Sequence, residues 1–468
     1  MKKKKVFFKN LIYAFSAQII SLLLSFIMSL IVPKILGVDK YSYWQLFLFY
    51  SSYVGFTTFG FSDGIYLRLG GKNYEDLDFR IIGSQIKLNM ILQVFIVMIF
   101  WIIINIFVYD QSRKFVLILT SIFLIISNFC TYIGYVFQAV NKTNIFSIAT
   151  IIEKVFFLVV VLILLFLKID NFKPFIILYV IGKTLALIYC VKKGKKIIFS
   201  QLCDIRLSLI EMWKNISIGI KLMIANISSM LILGSGRFII DKTWGITAFG
   251  KFSFALSLCT FFLQFINQTS MVLFPALRKG NEENLNKFYG FARSLLSLGL
   301  PAIFLIYTPM SYILSLWLPE YQVSLRYLAY LLPLCIYDGK MNLLCNTYFK
   351  VLRKENILLN VNFLSVIVSF AFGIIGANIF NNIYFVVFSM VFSIAFRSII
   401  SELYLAKLMK TNINIELIME TIMVVIFIIT VTYMNCLNAF IVFLIVYTIY
   451  IIINTKKVKD VWEFIKNF

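Results

Sequence analysis

Histidine is absent from the 468 residues, and cysteine and acidic residues are scarce. Without imidazole the chain cannot build a histidine-based triad, a zinc site with imidazole ligands or an imidazole proton relay. The 7 cysteines are odd in number and include no C-x-x-C pair, so they indicate neither a disulfide framework nor a redox motif. The sequence therefore predicts no catalytic residue, no metal site and no cofactor, and the chain is not expected to be an enzyme.

Charge is also scarce, because only 14% of the residues are charged and 61% are hydrophobic. Soluble domains are about 45–50% apolar, so this composition predicts an integral membrane protein. The 44 Lys and Arg outnumber the 21 Asp and Glu and give a net charge of +23. Because these cations fall between apolar runs rather than on one polar face, the expected partners are membrane lipid headgroups and not nucleic acid.

Long apolar runs dominate the chain, and about 14 of them approach the roughly 20 residues that a bilayer requires. An even number of spans places both termini on one side. Lys and Arg concentrate in the loops that share the side of the N-terminus, which predicts that both termini are cytoplasmic. The predicted fold class is an all-α, multi-pass membrane protein with helices at 11–33, 41–65, 88–108, 115–138, 145–167, 172–191, 216–241, 249–274, 291–317, 326–349, 357–380, 383–405, 415–434 and 437–454.

The longest hydrophilic interruption, Val191 to Asn215, separates six spans from the next six. We therefore predict two pseudo-symmetric six-helix lobes, followed by two further helices with little buried charge. The predicted boundaries are 1–191 for the first lobe, 192–215 for a basic cytoplasmic linker, 216–410 for the second lobe, and 411–468 for the C-terminal helices and an interfacial tail.

A weak internal repeat supports this division. Glycine, an aromatic residue, a small residue and a second aromatic residue recur at identical offsets in 37–44 and 245–252. The two segments fall where a six-span duplication would place them.

Polar side chains at helical spacing identify spans that could line a cavity. Arg237 shares a face of span seven with Asn226 and Asp241. Spans one and eight carry comparable stripes, which include Gln18, Ser25, Gln264 and Gln268. Hydrogen bonding between packed helices would explain each stripe equally well, so that alternative stays open.

Ionisable side chains inside apolar spans are costly, by roughly 2.5–3.5 kcal/mol each on insertion scales, so they usually face a partner, water or a substrate path. Charge pairing between packed helices is the competing explanation here. The candidates for binding an anionic or sugar group are Arg237, Asn226, Lys183, Arg397, Lys340, Gln18, Ser25, Gln264 and Gln268. The candidates for proton or sodium coupling are Glu153, Asp63, Asp338 and Asp241.

Three segments, 10–37, 59–78 and 273–276, together make the chain resemble the Wzx-type polysaccharide flippases. Their superfamily also contains the MATE drug exporters and the MurJ-type lipid flippases. The resemblance implies two six-span lobes in a V shape around a central cavity, with two extra C-terminal helices. Many relatives place an acid beside the basic residue of span seven, whereas this chain has Gly236 there.

The resemblance further implies a function in the bacterial plasma membrane. A Wzx-type flippase moves an undecaprenyl-diphosphate-linked oligosaccharide to the outer leaflet before a polysaccharide polymerase uses it. Cations would bind the diphosphate, and Ser, Asn and Gln would bind sugar hydroxyls.

Two alternative functions remain at the level of sequence. A MATE-like multidrug or cation antiporter would be expected to carry carboxylates in its cavity, whereas the buried set is more basic than acidic. An integral polysaccharide polymerase would need catalytic groups near the interface or a hydrophilic external loop, and the external loops are short.

Overall fold

The computed structural model describes the backbone of residues 2–277, 282–352 and 354–467. Side chains are described within these ranges apart from 2–15, 265–277, 282–285, 287, 355, 464, 465 and 467. The described chain divides into two compact units, Met1–Ile227 and Ser228–Phe468.

Polar side chains cap the first turns of three helices in unit 1. Asp78 accepts hydrogen bonds from two backbone amides at the start of α4 (Phe79–Phe107). Asp110 and Asn171 each accept one, at the starts of α5 (Gln111–Ala139) and α7 (Phe172–Lys193). The helices are α1 (Lys2–Leu30), α2 (Val32–Ser51), α3 (Phe61–Leu69), α4 (Phe79–Phe107), α5 (Gln111–Ala139), α6 (Thr143–Phe166), α7 (Phe172–Lys193), α8 (Lys195–Ile198) and the first part of α9 (Ile205–Leu277).

Within the described residues, unit 2 contains the rest of α9 and ten further helices. A π-helical turn, Met341–Cys345, joins two of them, and such turns frequently mark functional positions. The helices are α10 (Glu282–Gly299), α11 (Ile303–Trp317), α12 (Gln322–Leu331), α13 (Pro333–Lys340), α14 (Asn346–Val351), α15 (Glu355–Asn378), α16 (Ile383–Leu408), α17 (Asn414–Tyr433), α18 (Cys436–Ile453) and α19 (Thr455–Asn467).

The described residues contain 10 helices that are long and apolar enough to cross a membrane, or up to 11 if a bent pair at α1 and α2 counts as one span. The all-helical membrane fold predicted from the sequence is thereby confirmed. The number is lower than the roughly 14 expected segments, partly because α9 counts as one helix although a kink at Gly245 divides it into two helical parts. A further segment, at 326–349, is divided among α12, α13, the π-helical turn and α14.

Two glycines bend helices at corresponding places. Gly37 in α2 has φ 67 and ψ 177, and Gly245 in α9 has φ 81 and ψ −176. Only glycine adopts this conformation without steric cost. The segments that share a sequence pattern thus also share a backbone geometry, and the aromatic residues four positions later, Tyr41 and Phe249, are both buried.

Aromatic packing forms part of the core of unit 1. The Trp44 ring stacks on Phe157 at 5.7 Å between centroids and meets the edge of Tyr179 at 5.8 Å. Phe47 contacts Tyr179 and Phe123 in edge-to-face geometry. Aromatic pairs of this kind contribute about 0.5–1.5 kcal/mol beyond the area that they bury. They hold α2, α5, α6 and α7 together.

Glycines bring the backbones of α3 and α9 into direct contact. A Cβ added to Gly64 would lie 1.9 Å from the carbonyl oxygen of Asn215, and one added to Gly219 would lie 2.0 Å from the carbonyl oxygen of Gly60. Small residues spaced four apart, as Gly60 and Gly64 are, allow this approach between membrane helices. We call this junction the α3–α9 contact.

Replacing Gly64 with alanine is expected to lower the thermal midpoint of the purified protein. The added methyl would overlap backbone that cannot rotate away, and overpacking costs about 1–3 kcal/mol. Gly55→Ala is the matched control, because a Cβ there meets nothing within 4 Å. Equal midpoints for the two variants in a fluorescence-detected melting assay would contradict the close approach.

Candidate functional site

Unit 1 buries a carboxylate between two lysines inside its membrane-spanning part. Lys183 Nζ on α7 lies 3.0 Å from Glu153 Oε2 on α6, and Lys154 Nζ lies 3.3 Å from Glu153 Oε1. The Lys154 ammonium also lies 5.4 Å from the centre of the Tyr179 ring. We call these three charged residues the unit 1 charge cluster. Since one carboxylate faces two ammonium groups, the cluster carries one positive charge in excess.

Both lysines of the unit 1 charge cluster remain partly accessible. The side chain of Lys183 is 15% exposed and that of Lys154 is 22% exposed, whereas Glu153 is buried at 7%. Gly182 permits the helices to pack closely here, since a Cβ would meet the Glu153 carbonyl oxygen at 3.2 Å. The sequence nominated Glu153 for ion coupling and Lys183 for an anion, and the structure brings the two together.

A neutral hydrogen-bond network lies deeper in the same unit. Asn128 Nδ2 on α5 donates to Gln93 Oε1 on α4 at 2.9 Å and to Thr57 Oγ1 at 3.0 Å. Gln93 Nε2 donates in turn to the Thr57 carbonyl oxygen at 2.8 Å. Gln93 is fully buried, so this network joins helices rather than offering groups to a ligand.

The remaining site candidates of unit 1 lie in different surroundings. Gln18 and Ser25 are half-buried along α1, and Asp63 is half-buried in the first turn of α3. The helix dipole favours a carboxylate in a first turn. Asn226, near the end of the unit, has an exposed side chain.

Arg237 lies on the part of α9 that belongs to unit 2. Its guanidinium donates from Nη2 to Ser253 Oγ at 3.0 Å and lies 5.0 Å from the centre of the Phe249 ring. Gly236 permits close packing beside it, because a Cβ there would overlap Met390 on α16. Arg237 itself is half-buried, whereas Asp241 is buried.

The polar stripe along the later part of α9 is only partly described. Gln264 is half-buried. The Gln268 side chain lies outside the described residues.

Arg397 on α16 forms an ion pair with Asp338 on α13. Its Nη1 also donates to Ser229 Oγ at 2.7 Å, which connects α16 to α9. Arg397 is buried and Asp338 is half-buried. A residue proposed for a diphosphate and one proposed for ion coupling are therefore paired with each other, as the charge-pairing alternative anticipates.

A second set of charges is buried around Lys340. Lys340 Nζ lies 2.6 Å from Glu402 Oε1 on α16 and also pairs with Glu420 on α17. Arg293 Nη2 on α10 lies 3.6 Å from Glu402 Oε2. The six residues of this set, which we call the unit 2 charge ladder, are Lys340, Glu402, Glu420, Arg293, Glu416 and Lys457.

The unit 2 charge ladder connects the C-terminal helices to the earlier ones. Glu416 pairs with Arg293 and lies 2.7 Å from Lys457 on α19. Three cations therefore balance three carboxylates. The expectation that the last two spans carry little buried charge is wrong, because Glu420 on α17 is fully buried. Its isolation among apolar residues in the sequence was the signal that could have nominated it.

An open, mainly apolar groove of about 620 Å³ runs along unit 2 between α16 and α17. Its walls include Leu403, Leu417, Ile422 and Val425. Groups of three or more metal-binding side chains do not occur within the described part of the chain.

Known structures share this fold. A lipid II flippase MurJ in an inward-closed conformation matches with a TM-score of 0.69 and 12% identity, covering 96% of this chain and 99% of that one. A multidrug resistance MATE transporter in an inward-facing conformation matches with a TM-score of 0.65 and 13% identity, covering 85% of this chain and 98% of that one. A transporter of the same MOP superfamily from Pyrococcus furiosus matches with a TM-score of 0.55, 12% identity and coverage of 86% and 94%.

These matches, together with the apolar helices, define the class: the chain is a multi-pass membrane protein with the fold of lipid flippases and multidrug transporters. The chain belongs to the polysaccharide biosynthesis protein family, whose model matches residues 7–281. Curated proteins gave no sequence match. The resemblance predicted from the sequence is confirmed, and the structures that the chain matches are transporters rather than enzymes.

Proposed function

We propose that the chain flips a polyprenyl-diphosphate-linked oligosaccharide from the cytoplasmic to the outer leaflet of a bacterial plasma membrane. The transport proceeds by alternating access between lobes at 1–191 and 216–410, with both termini in the cytoplasm. An undecaprenyl carrier is the expected lipid, and a polysaccharide polymerase is the expected consumer of the product. The family and the MurJ-like fold support this assignment of substrate class.

The observation that carries the proposal is the excess positive charge of the unit 1 charge cluster. An unneutralised ammonium among membrane-spanning helices is costly unless something anionic approaches it. Lys183 and Lys154 are partly exposed, so a diphosphate could reach them. Charge-assisted hydrogen bonds to phosphate are the strong ones that such a headgroup needs.

Unit 2 supplies complementary chemistry. Arg237 is half-buried with a hydroxyl, Ser253 Oγ, at hydrogen-bond distance, a combination suited to a phosphate beside sugar hydroxyls. The apolar groove between α16 and α17 offers a surface that a prenyl chain can cover. Glu153 and Asp63 remain the candidates for proton or sodium coupling in unit 1.

Arg237→Ala tests the cationic role in cells. We expect lipid-linked oligosaccharide to accumulate on the inner leaflet and surface glycan to fall, while Arg237→Lys retains part of the export. Lys242→Ala is the control, because Lys242 is an exposed cation just over one helical turn away. Undiminished export by an Arg237→Ala protein present at normal levels would count against the proposal.

A multidrug antiporter is the second candidate, because the MATE transporter matches this fold with a TM-score of 0.65. That function predicts drug resistance without any change in surface glycan. Measuring drug tolerance and surface glycan in one deletion strain separates the two candidates. Loss of glycan with unchanged drug tolerance favours the flippase.

The α3–α9 contact lies within unit 1 and includes an ion pair, which we expect transport to require. Arg68 Nη2 on α3 lies 2.6 Å from Glu211 Oε2 on α9, and Arg68 Nη1 donates a hydrogen bond to Asn215 Oδ1 at 2.8 Å. Arg68→Glu is expected to slow transport about five-fold, because a half-exposed pair contributes about 1 kcal/mol. The exchanged double variant Arg68→Glu/Glu211→Arg should recover most of the transport rate. If it did not, the ion pair would not be the reason for the slower transport.

A further inference from the structure

The segment between α7 and the apolar part of α9 exposes large apolar side chains beside lysines. Phe199 is 75% exposed, Leu202 72%, Ile205 66% and Trp213 69%. Lys195 and Lys196 are exposed immediately before them. We call these six residues the linker surface.

Hydrogen bonds attach this segment to α4 within unit 1. Lys87 Nζ donates to the Ser200 carbonyl oxygen at 2.8 Å, and the Cys203 amide donates to Ser84 Oγ at the same distance. Asn215 Nδ2 donates to Gln85 Oε1 at 2.7 Å. These hydrogen bonds hold the segment in place, while the side chains of the linker surface remain exposed.

The position of the segment and its charge indicate what the linker surface binds. The segment follows the end of a spanning helix, α7, and precedes the apolar part of another, so it lies at the level of the membrane surface. Residues 192–213 contain five cations and two acids, and the four lysines lie together at 192–196. Lysine and tryptophan beside exposed aliphatic residues are the composition of an interfacial membrane-binding segment, whereas the centre of a protein interface is depleted in lysine.

We propose that the linker surface binds the anionic phospholipid headgroups of the adjacent leaflet. The lysines contact phosphate, and Phe199, Leu202 and Trp213 enter the region just below the headgroups. The contact is independent of the transported substrate and fixes the start of α9 relative to the bilayer.

Tryptophan quenching tests insertion in the full-length protein. The chain is reconstituted into vesicles of equal parts phosphatidylglycerol and phosphatidylcholine, with one lipid brominated at a time. The Trp213 signal is the difference between the wild type and Trp213→Phe. We expect stronger quenching by brominated phosphatidylglycerol than by brominated phosphatidylcholine. Equal quenching would overturn the preference for anionic lipid, and no quenching would overturn membrane contact in favour of a protein partner.

Lysine removal tests the charge contribution. Lys195→Gln/Lys196→Gln is compared with Lys168→Gln/Lys173→Gln, which removes two exposed lysines near the opposite end of α7. Titration of phosphatidylglycerol in detergent, followed by native mass spectrometry, should show about 30-fold weaker binding for the first variant, because each lysine near a surface contributes about five-fold. An equal loss in both variants, or a loss in neither, would overturn the proposal.

Discussion

Lys340→Met is expected to prevent the protein from accumulating in a folded form. Lys340 and Glu402 are fully inaccessible, and Glu420 is 1% exposed. The substitution removes the ammonium that pairs with both Glu402 and Glu420 and leaves these two carboxylates buried without it. Breaking a buried ion pair by removing one partner costs about 3–5 kcal/mol, which is comparable with the whole stability of many domains. Fluorescence-detected size-exclusion chromatography and a melting curve would measure the loss.

A second variant tests whether charge imbalance, and not the loss of the lysine side chain itself, causes the loss of stability. Lys340→Met/Glu420→Gln removes one charge of each sign, while Glu402 keeps Arg293 at 3.6 Å and Ser398 at hydrogen-bond distance. Most of the stability should return. Lys350→Met, at an exposed position on α14, is the matched control. A single Lys340→Met variant as stable as the wild type would contradict the importance of the unit 2 charge ladder.

Lys183→Met is expected to reduce transport about 10- to 150-fold without unfolding the protein. Glu153 keeps Lys154 as a counter-ion at 3.3 Å, so no carboxylate is left uncompensated. What disappears is the excess positive charge, and a hydrogen bond to a charged group contributes about 1.5–3 kcal/mol. The initial rate of substrate flipping in reconstituted vesicles is the measurement.

The conservative variant separates charge from shape at this position. Lys183→Arg keeps the positive charge and should retain more transport than Lys183→Met. Lys168→Gln serves as a control for the removal of a lysine exposed after the end of α6. If both Lys183 variants transported at the wild-type rate, the unit 1 charge cluster would have a structural role only.

The fold follows from the sequence because its main determinants are local. Apolar runs of bilayer length predict the spanning helices, and the pattern shared by 37–44 and 245–252 predicts two equivalent turns. The structure gives both glycines a positive φ and an extended ψ, which is a conformation restricted to glycine in practice. The family resemblance carried by 10–37, 59–78 and 273–276 leads to the same architecture.

Charge partners could not be predicted in the same way, because they are far apart along the chain. Lys340 and Glu420 are separated by 80 residues, and Arg397 and Asp338 by 59. Helical periodicity places a side chain on a face but does not say which helix that face meets. The sequence therefore predicts that Lys340 and Arg397 are substrate-binding cations, whereas the structure pairs each of them with carboxylates inside unit 2.

Lys183 belongs to a cluster in which the cations outnumber the carboxylates. Its partner Glu153 is shared with Lys154, so the carboxylate cannot neutralise both ammonium groups. The sequence identifies Lys183 and Glu153 as separate candidates. Only the structure shows that two lysines share this one carboxylate. Because the unit 1 charge cluster has an excess positive charge and the unit 2 charge ladder is balanced, we favour the unit 1 charge cluster as the binding site for an anionic substrate.

A flipping assay tests the central claim most directly. The chain is reconstituted into vesicles that contain polyprenyl-diphosphate-linked oligosaccharide, and an impermeant glycosidase reports the glycan on the outer face over time. The account predicts that glycan initially protected inside becomes accessible with the wild type, and much more slowly with Lys183→Met or without protein. Accessibility that is the same with and without the wild-type chain would contradict the assignment of this protein as a flippase for that substrate.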